Sequence, residues 1–337
     1  MVVARAGRPT MNDVARLAGV GLKTVSRVVN GEPGVADTTA EKVREAIERL
    51  GFRRNEGARM LRRGRTASIG LVLEDVANPF YATLTRAVEE VARANGLIVF
   101  AGSSDEDPER ERELTLEFCA RRVDGLIIVP AGTDHRYLAP EIAAGIAAVF
   151  VDRPAGNIEA DTVLADNPGG VRAGVRHLIR HGHRRVGYIG DAPAIFTAAE
   201  RQRGYRDEMA AAGIDIDESL IAMGHPEREF IRAALDRMLH RPDPATALFA
   251  GNNRITIGVL YELASRSDRR PGLVGFDDFE LADLLSPGIT VVAQDATGLG
   301  RIAAELLFRR LAGDHGPVQQ IQLRTRLIPR GSGELPP

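Results

Sequence analysis

Two rhythms of apolar residues divide the chain. From Met11 to Leu50 they recur every three or four positions in three short runs. From Ser68 onward, continuous apolar blocks alternate with longer helical runs. The first spacing predicts amphipathic helices, and blocks of four to eight apolar residues predict buried strands. The run MNDVARLA carries Val14, Ala15 and Leu17. Thr10 stands ready to cap it, with Asp13 as a shortened capping box, and Gly19 can take the left-handed conformation of a C-cap. The next run, GLKTVSRVVNG over 21–31, puts Val25, Val28 and Val29 on one face and closes on Asn30-Gly31. Leu22, Lys23, Thr24, Ser26 and Arg27 lie on its exposed side or first turn. A third run, TTAEKVREAIERLG, spaces Val43, Ile47 and Leu50 to pack on the first two. Two short helices meeting at a tight turn, backed by a third, predict a helix-turn-helix.

The longer part reads as strands at SIGLVLEDV, LIVFAGSS, VDGLIIVPA, AAVFVDRP, RVGYIGD, ALFAGN and RPGLVGF, with helices such as ATLTRAVEEVARANG between them. That alternation predicts parallel sheets covered on both faces. About 270 residues of it exceed one such domain, so two similar lobes are expected. In open α/β sheets ligands sit at the carboxyl ends of the strands, and two facing lobes make a cleft there. Asp75, Asp105, Asp152, Asp166 and Asp277 follow apolar strands. A carboxylate accepts several hydroxyl bonds, which suits a polyhydroxylated ligand. Phe80 and Tyr81 can stack on a ring, and Arg201 and Asn252 add polar contacts. Each strand-end Asp also has a plain reading as a loop or cap residue.

Charge changes the picture. Residues 1–66 hold 14 Lys/Arg against 7 Asp/Glu, a net of +7, whereas the whole 337-residue chain is −2. A basic head on an acidic body suggests that the head meets a polyanion. Arg27 can bond guanine O6 and N7 together, and Thr24 and Ser26 suit phosphate oxygens. No apolar run reaches the ~20 residues of a membrane helix, and the first residues lack the apolar core of a secretory signal. The single Cys119 forms no internal disulfide and no zinc framework. A cytoplasmic protein without cofactor or metal is expected.

DVARLAGVGLKTVSRVVNG, followed by EKVREAIERLGFRRNEGARMLRRGRTASIGLV, resembles the lactose/galactose-repressor (LacI) family of bacterial transcription regulators. The resemblance implies a small all-α helix-turn-helix head with a hinge helix, joined to a two-lobed α/β periplasmic-binding-protein-like domain. The head is expected over 8–54, hinge helix and linker over 55–64, and the effector-binding and dimerisation domain over 65–332. Its first lobe is expected at about 66–164 and 293–323, its second at about 165–292 and 324–332. The partners implied are palindromic double-stranded operator DNA, a second copy of the chain and a small effector. Thr10, Leu22, Lys23, Thr24, Ser26, Arg27 and Asn30 are the expected contacts of the head with DNA. Asn55, Ala58 and Leu61 match the hinge, with Leu61 as the wedge that opens the central base step. Three positions depart from the family: Gly21 and Ala36 replace capping Ser residues, and Arg54 replaces a Pro. Thr38 with Glu41 offers a later cap for the third helix.

In the body, EDVANPFY, VLADNPGGVRAGVRHLIRHGHRRVGYIG and VGFDD carry the resemblance. It implies effector contacts at Phe80, Tyr81, Thr197, Arg201, Asn252 and Asp277, with Asp166 and Gln294 at the cleft or hinge. Asn253 stands where the family usually has Asp. A pentose, a hexose, a glycoside or a nucleobase all suit this set. The chain ends SGELPP without a leucine heptad, so a dimer and no tetramerisation helix is expected. HLIRHGH lacks the carboxylate of a metalloprotease pattern. GLGRIA (298–303) imitates a dinucleotide fingerprint, but small residues for close helix packing explain it better. The rival readings are a sugar-binding protein without a DNA role and an NAD-linked oxidoreductase; neither explains the basic head.

Overall fold

The structure, a computed structural model, describes residues 9–52, 66–266 and 270–337. The chain divides into two compact units, Met1–Thr66 and Ala67–Pro337. Asn55, Ala58 and Leu61, the expected hinge contacts, lie outside the described residues, as does Arg54.

In the first unit, helices α1 (Met11–Ala18), α2 (Leu22–Asn30) and α3 (Asp37–Leu50) enclose a miniature core. Val14, Val25, Val43 and Ala46 are buried at its centre, with Val28, Val29, Ile47 and Leu50 packed around them. Thr10 and Asp13 close a full capping box on α1, and Gly19 ends it at φ 65°. Gly21 supplies no side-chain cap to α2. The later cap expected for α3 does not form: the helix starts at Asp37, after an Ala36 without a side-chain bond. Asp37 in the first turn faces the positive end of the helix dipole, which favours that earlier start.

The second unit holds two six-stranded sheets. The chain first lays down β1 (Ser68–Leu73), α4 (Pro79–Ala94), β2 (Ile98–Ser103), α5 (Pro108–Ala120) and β3 (Gly125–Ile128). Then come α6 (Ala139–Ala143), β4 (Ala147–Val151) and β5 (Asp161–Ala165). The next stretch has α7 (Asn167–Arg180), β6 (Val186–Gly190), α8 (Phe196–Ala211) and β7 (Ile221–Met223). It continues through α9 (Arg228–Leu239), β8 (Ala247–Ala250), α10 (Asn253–Ala264), β9 (Gly272–Phe276) and β10 (Thr290–Ala293). Helix α11 (Ala296–Leu311), β11 (Gln320–Leu323) and β12 (Arg326–Ile328) complete it.

The first sheet runs β11-β5-β4-β3-β1-β2 and is parallel throughout. The second runs β12-β10-β9-β8-β6-β7, with only the β10–β12 pair antiparallel. The chain therefore passes between sheets three times: after β5, after β10 and after β11. All seven strands expected from apolar blocks are present. Five further strands were not among them: β7, β11 and β12 are short or half-polar, and β5 and β10 are buried but carry apolar runs of only three residues each. One strand departs from the expected two-sided burial: edge strand β2 leaves Ile98 and Phe100 57% and 41% exposed.

The GLGRIA segment lies in the first turns of α11, against α4. A Cβ added at Gly300 would sit 2.4 Å from the Leu84 carbonyl oxygen. Helix propensity alone would favour Ala there by about 1 kcal/mol, but contact with rigid backbone outweighs it. Gly300→Ala is expected to destabilise the body by about 1–3 kcal/mol in urea unfolding; an unchanged or raised midpoint would contradict this packing.

Candidate functional site

The exposed face of α2 is built by exclusion. Val25 takes the core, so Leu22, Lys23 and Arg27 are left facing solvent, with Thr24 and Ser26 half-buried beside them. Arg27 is only loosely engaged, its Nε 4.0 Å from Glu32. Its guanidinium can leave that exposed pair for a stronger bidentate acceptor at little cost. Thr10 and Asn30 are held differently. The Thr10 hydroxyl donates to Asp13 at 2.6 Å, and the Asn30 amide donates to Glu32 at 2.9 Å.

In the body, the carboxyl ends of β1, β2, β4, β6, β8 and β9 face one another across about 440 Å³, including space open to solvent. Asn78 and Asn252 each end a loop and start a helix. Their Oδ1 atoms cap α4 and α10 by accepting from Phe80 N and Ile255 N at 3.1 and 2.8 Å. Pro79 at the first position of α4 fixes the turn that presents Phe80 and Tyr81. Those two rings meet edge to face, 5.0 Å apart. Asp152 and Asp277 sit just past β4 and β9 with φ of 70° and 67°. Asp tolerates this left-handed turn better than most residues, and it swings both carboxylates into the cleft.

Arg201, on α8, is placed by three contacts. Its Nε donates to Asn167 Oδ1 at 2.7 Å, its Nη1 donates to the Gly251 carbonyl at 2.8 Å, and its guanidinium lies 3.9 Å over the Phe276 ring. Asp277 is 3.6 Å from it and accepts from Gln294 Nε2 at 2.6 Å. Buried Thr197 lies one turn before Arg201 on the same helix. Thus Phe80, Tyr81, Thr197, Arg201, Asn252, Asp277 and Gln294 all line one cavity.

Three expected residues do not line it. Asp75 accepts from Ala77 N at 2.8 Å in a tight turn, and exposed Asp105 pairs with Arg110. Asp166 caps α7 through Gly169 N at 2.9 Å. Asp75 and Asp166 take the plain loop-and-cap role of a strand-end Asp, because a neighbouring backbone N–H lies within reach, and Asp105 is captured by a guanidinium. The lining also contains Asn253, and residues that sequence reasoning passed over: Glu74, Glu106, Arg153 and Asp191. All lie within a few residues of a strand's carboxyl end. The same rule that selected the aspartates would have found them had it been applied to every polar residue there.

Side chains of α10 reach across the cleft to the first lobe. Asn253 Nδ2 donates to Asn78 Oδ1 at 3.0 Å, and Arg254 lies 3.2 Å from Glu74. Burial pushes the Glu74 carboxyl up to about 7, aided by the Glu106 charge and opposed by Arg153 and Arg254. Asp152, Asp191 and Asp277 are raised chiefly by burial as well. The arrangement can hold a small polar molecule between aromatic edges and hydrogen-bonding ends.

Comparison with known proteins fits both parts. Residues 10–55 match bacterial regulatory proteins of the lacI family, and residues 175–333 match the periplasmic binding protein-like domain. The transcriptional regulator CelR of Thermobifida fusca is 34% identical over 339 residues, covering 98% of this chain and 99% of that one. This chain belongs to the LacI family. The LacI-family chain is thus a DNA-binding transcriptional regulator. A solved CelR–cellobiose complex superposes at a TM-score of 0.71 with 31% identity, over 96% of this chain and all of that one. The lac repressor dimer bound to operator and an anti-inducer shares the fold at a TM-score of 0.83, with 24% identity over 97% and 99% of the two chains.

The raised Glu74 gives a pH dependence of definite sign. A carboxyl whose pKa rises on folding stabilises the folded state while protonated and loses that contribution as it ionises. Stability of the body should therefore fall as pH rises from about 4.5 through about 7. Glu74→Gln should flatten that part of the profile in thermal unfolding. Identical profiles for the variant and the parent chain would contradict the assignment.

Proposed function

We propose that this LacI-family regulator is a homodimeric repressor acting in the cytoplasm. It binds a two-fold-symmetric operator, and a small polyhydroxylated effector, a sugar, controls its affinity from the cleft. The carrying observation is the cleft, in which an arginine, an asparagine, carboxylates and an aromatic edge converge between two directly bridged lobes. Such a set supplies hydroxyl acceptors and donors together with a surface for a ring face. The CelR–cellobiose complex supports a sugar over a nucleobase.

Exposed apolar side chains support self-association. Ile98 and Phe100 on edge strand β2, and Tyr261, Leu281 and Leu284 in the other lobe, are 41–74% exposed. A second copy would cover them through an isologous contact. The lac repressor structure, a dimer on its operator, supports the same assembly. Two copies of α2 would then enter successive major grooves, Arg27 reading a guanine while Leu22 and Lys23 touch neighbouring bases. Thr10, Thr24, Ser26 and Asn30 would contact phosphates once the duplex is in place.

Cleft and DNA communicate only if the effector prefers one arrangement of the lobes. Asn253–Asn78 and Arg254–Glu74 are contacts that a ligand entering between the lobes must rearrange or reinforce.

Selection by the full chain from randomised duplexes of ~20 base pairs should enrich a palindrome. Arg27→Ala should lose about 1–3 kcal/mol of discrimination at one position per half-site. Asn252→Ala should keep operator binding and lose the response to a sugar. No enriched sequence at low salt, or an Arg27→Ala variant with full discrimination, would refute the reading.

A further inference from the structure

The cleft is richer in acceptors than a neutral sugar requires. Five carboxylates line it, Glu74, Glu106, Asp152, Asp191 and Asp277, against two lining guanidiniums, Arg153 and Arg201. Most of their bonds already go to the protein. Arg153 Nη1 donates to Glu106 at 2.6 Å and to the Pro130 carbonyl at 2.7 Å, and its Nη2 meets Glu106 as well. Arg201 is held by Asn167 and Gly251, and Arg254 at the rim faces Glu74. Two carboxylates are left without a cation of their own. Asp152 shares Arg153 at 3.7 Å. Asp191 is held by neutral donors, Ala192 N at 2.8 Å and Asn252 Nδ2 at 2.7 Å.

Asp152 is the telling group. It is only 3% exposed, and its Oδ1 has no hydrogen-bond partner among the described residues. Its other oxygen has a long contact to the Tyr81 hydroxyl, at 3.4 Å. Among the described residues, Gln294 Oε1 is a second buried acceptor without a partner, against one such donor in the lining, Arg153 Nε. A buried carboxylate with an open lone pair is costly until a donor reaches it, and a charged donor offsets that cost best. An anionic ligand would instead meet the excess of like charge, with the arginines turned to protein acceptors.

We propose that the effector is an amino sugar, a polyhydroxylated ring bearing a free ammonium group that seats against Asp152. This rests on the reading of the cleft as an effector site and narrows its ligand. Hydroxyls of the ring take Asn252, Asp277 and Gln294, as in the broader reading. The ammonium supplies the positive charge that the lining lacks. Uronic acids and sugar phosphates are excluded by the same charge balance.

The test is calorimetric titration of the full chain with matched series of glucosamine, galactosamine and mannosamine. Each is compared with its plain sugar, its N-acetyl derivative and, for the first two, its uronate. At least one amine is expected to bind roughly tenfold tighter than its neutral partners, with uronates showing no binding. Asp152→Asn, which suits the left-handed backbone there, should bring the amine-to-neutral ratio close to one while thermal unfolding shows a folded body. Should that variant fold poorly, the amine-to-neutral ratio of the parent chain decides by itself. A plain sugar, N-acetyl sugar or uronate binding as tightly as the amine would overturn the proposal. If that ligand also shifted DNA affinity, the regulator reading would stand without it. Binding by no member of any series would overturn both the amino-sugar proposal and the sugar reading.

Discussion

A carboxylate taken out of water must be given donors, and the centre of this body is arranged around that requirement. The strand ends bring five acidic side chains into one cavity. Glu106 is met by Arg153, Asp277 by Arg201 and Gln294, and Glu74 by Arg254 from the opposite lobe. The bridge across the cleft is therefore part of the solution to a desolvation problem. Removing the cation from a largely buried carboxylate such as Glu106 is more costly than the pair is worth as a net contribution. The lobes are thus sensitive to any ligand that substitutes its own donors.

Secondary structure sets the geometry of those donors. Parallel strands end together, so the residues just beyond them converge, and α/β crossovers place helix starts beside them. Asn252 exploits both facts, capping α10 with Oδ1 and donating its Nδ2 to Asp191, while Asn78 Oδ1 both caps α4 and accepts from Asn253. Arg201 reaches the same point from α8 because Asn167 and Phe276 fix its guanidinium from either side. In the head the logic is simpler. A core of four small residues, Val14, Val25, Val43 and Ala46, leaves one face of α2 free.

Much of this was legible in the sequence where one residue answers to one local rule. Thr10 with Asp13, Gly19 and the spaced valines of α2 specify the head within a few neighbours. The apolar blocks of the two sheets announce themselves because both faces are buried. Strand β2 escaped that rule, since its block of apolar residues includes two that face outward. At the site, Phe80, Arg201, Asn252 and Asp277 stood on motifs specific enough to place them in the cavity. Asp75, Asp105 and Asp166 did not follow, because a nearby N–H or guanidinium captures each side chain, and sequence spacing is blind to that competition. Arg153 and Asp191 depend on partners far along the chain, Glu106 and Asn252, so only the folded structure reveals their company.

The central claim is that cleft and DNA site are coupled through differential affinity, and thermodynamic reciprocity tests it most directly. The affinity of the full chain for a cleft ligand would be measured alone and when saturated with a duplex selected by the same chain. The account predicts a change in ligand affinity, by the same factor by which saturating ligand changes the affinity for that duplex. Equal ligand affinity in the presence and absence of the duplex would contradict it.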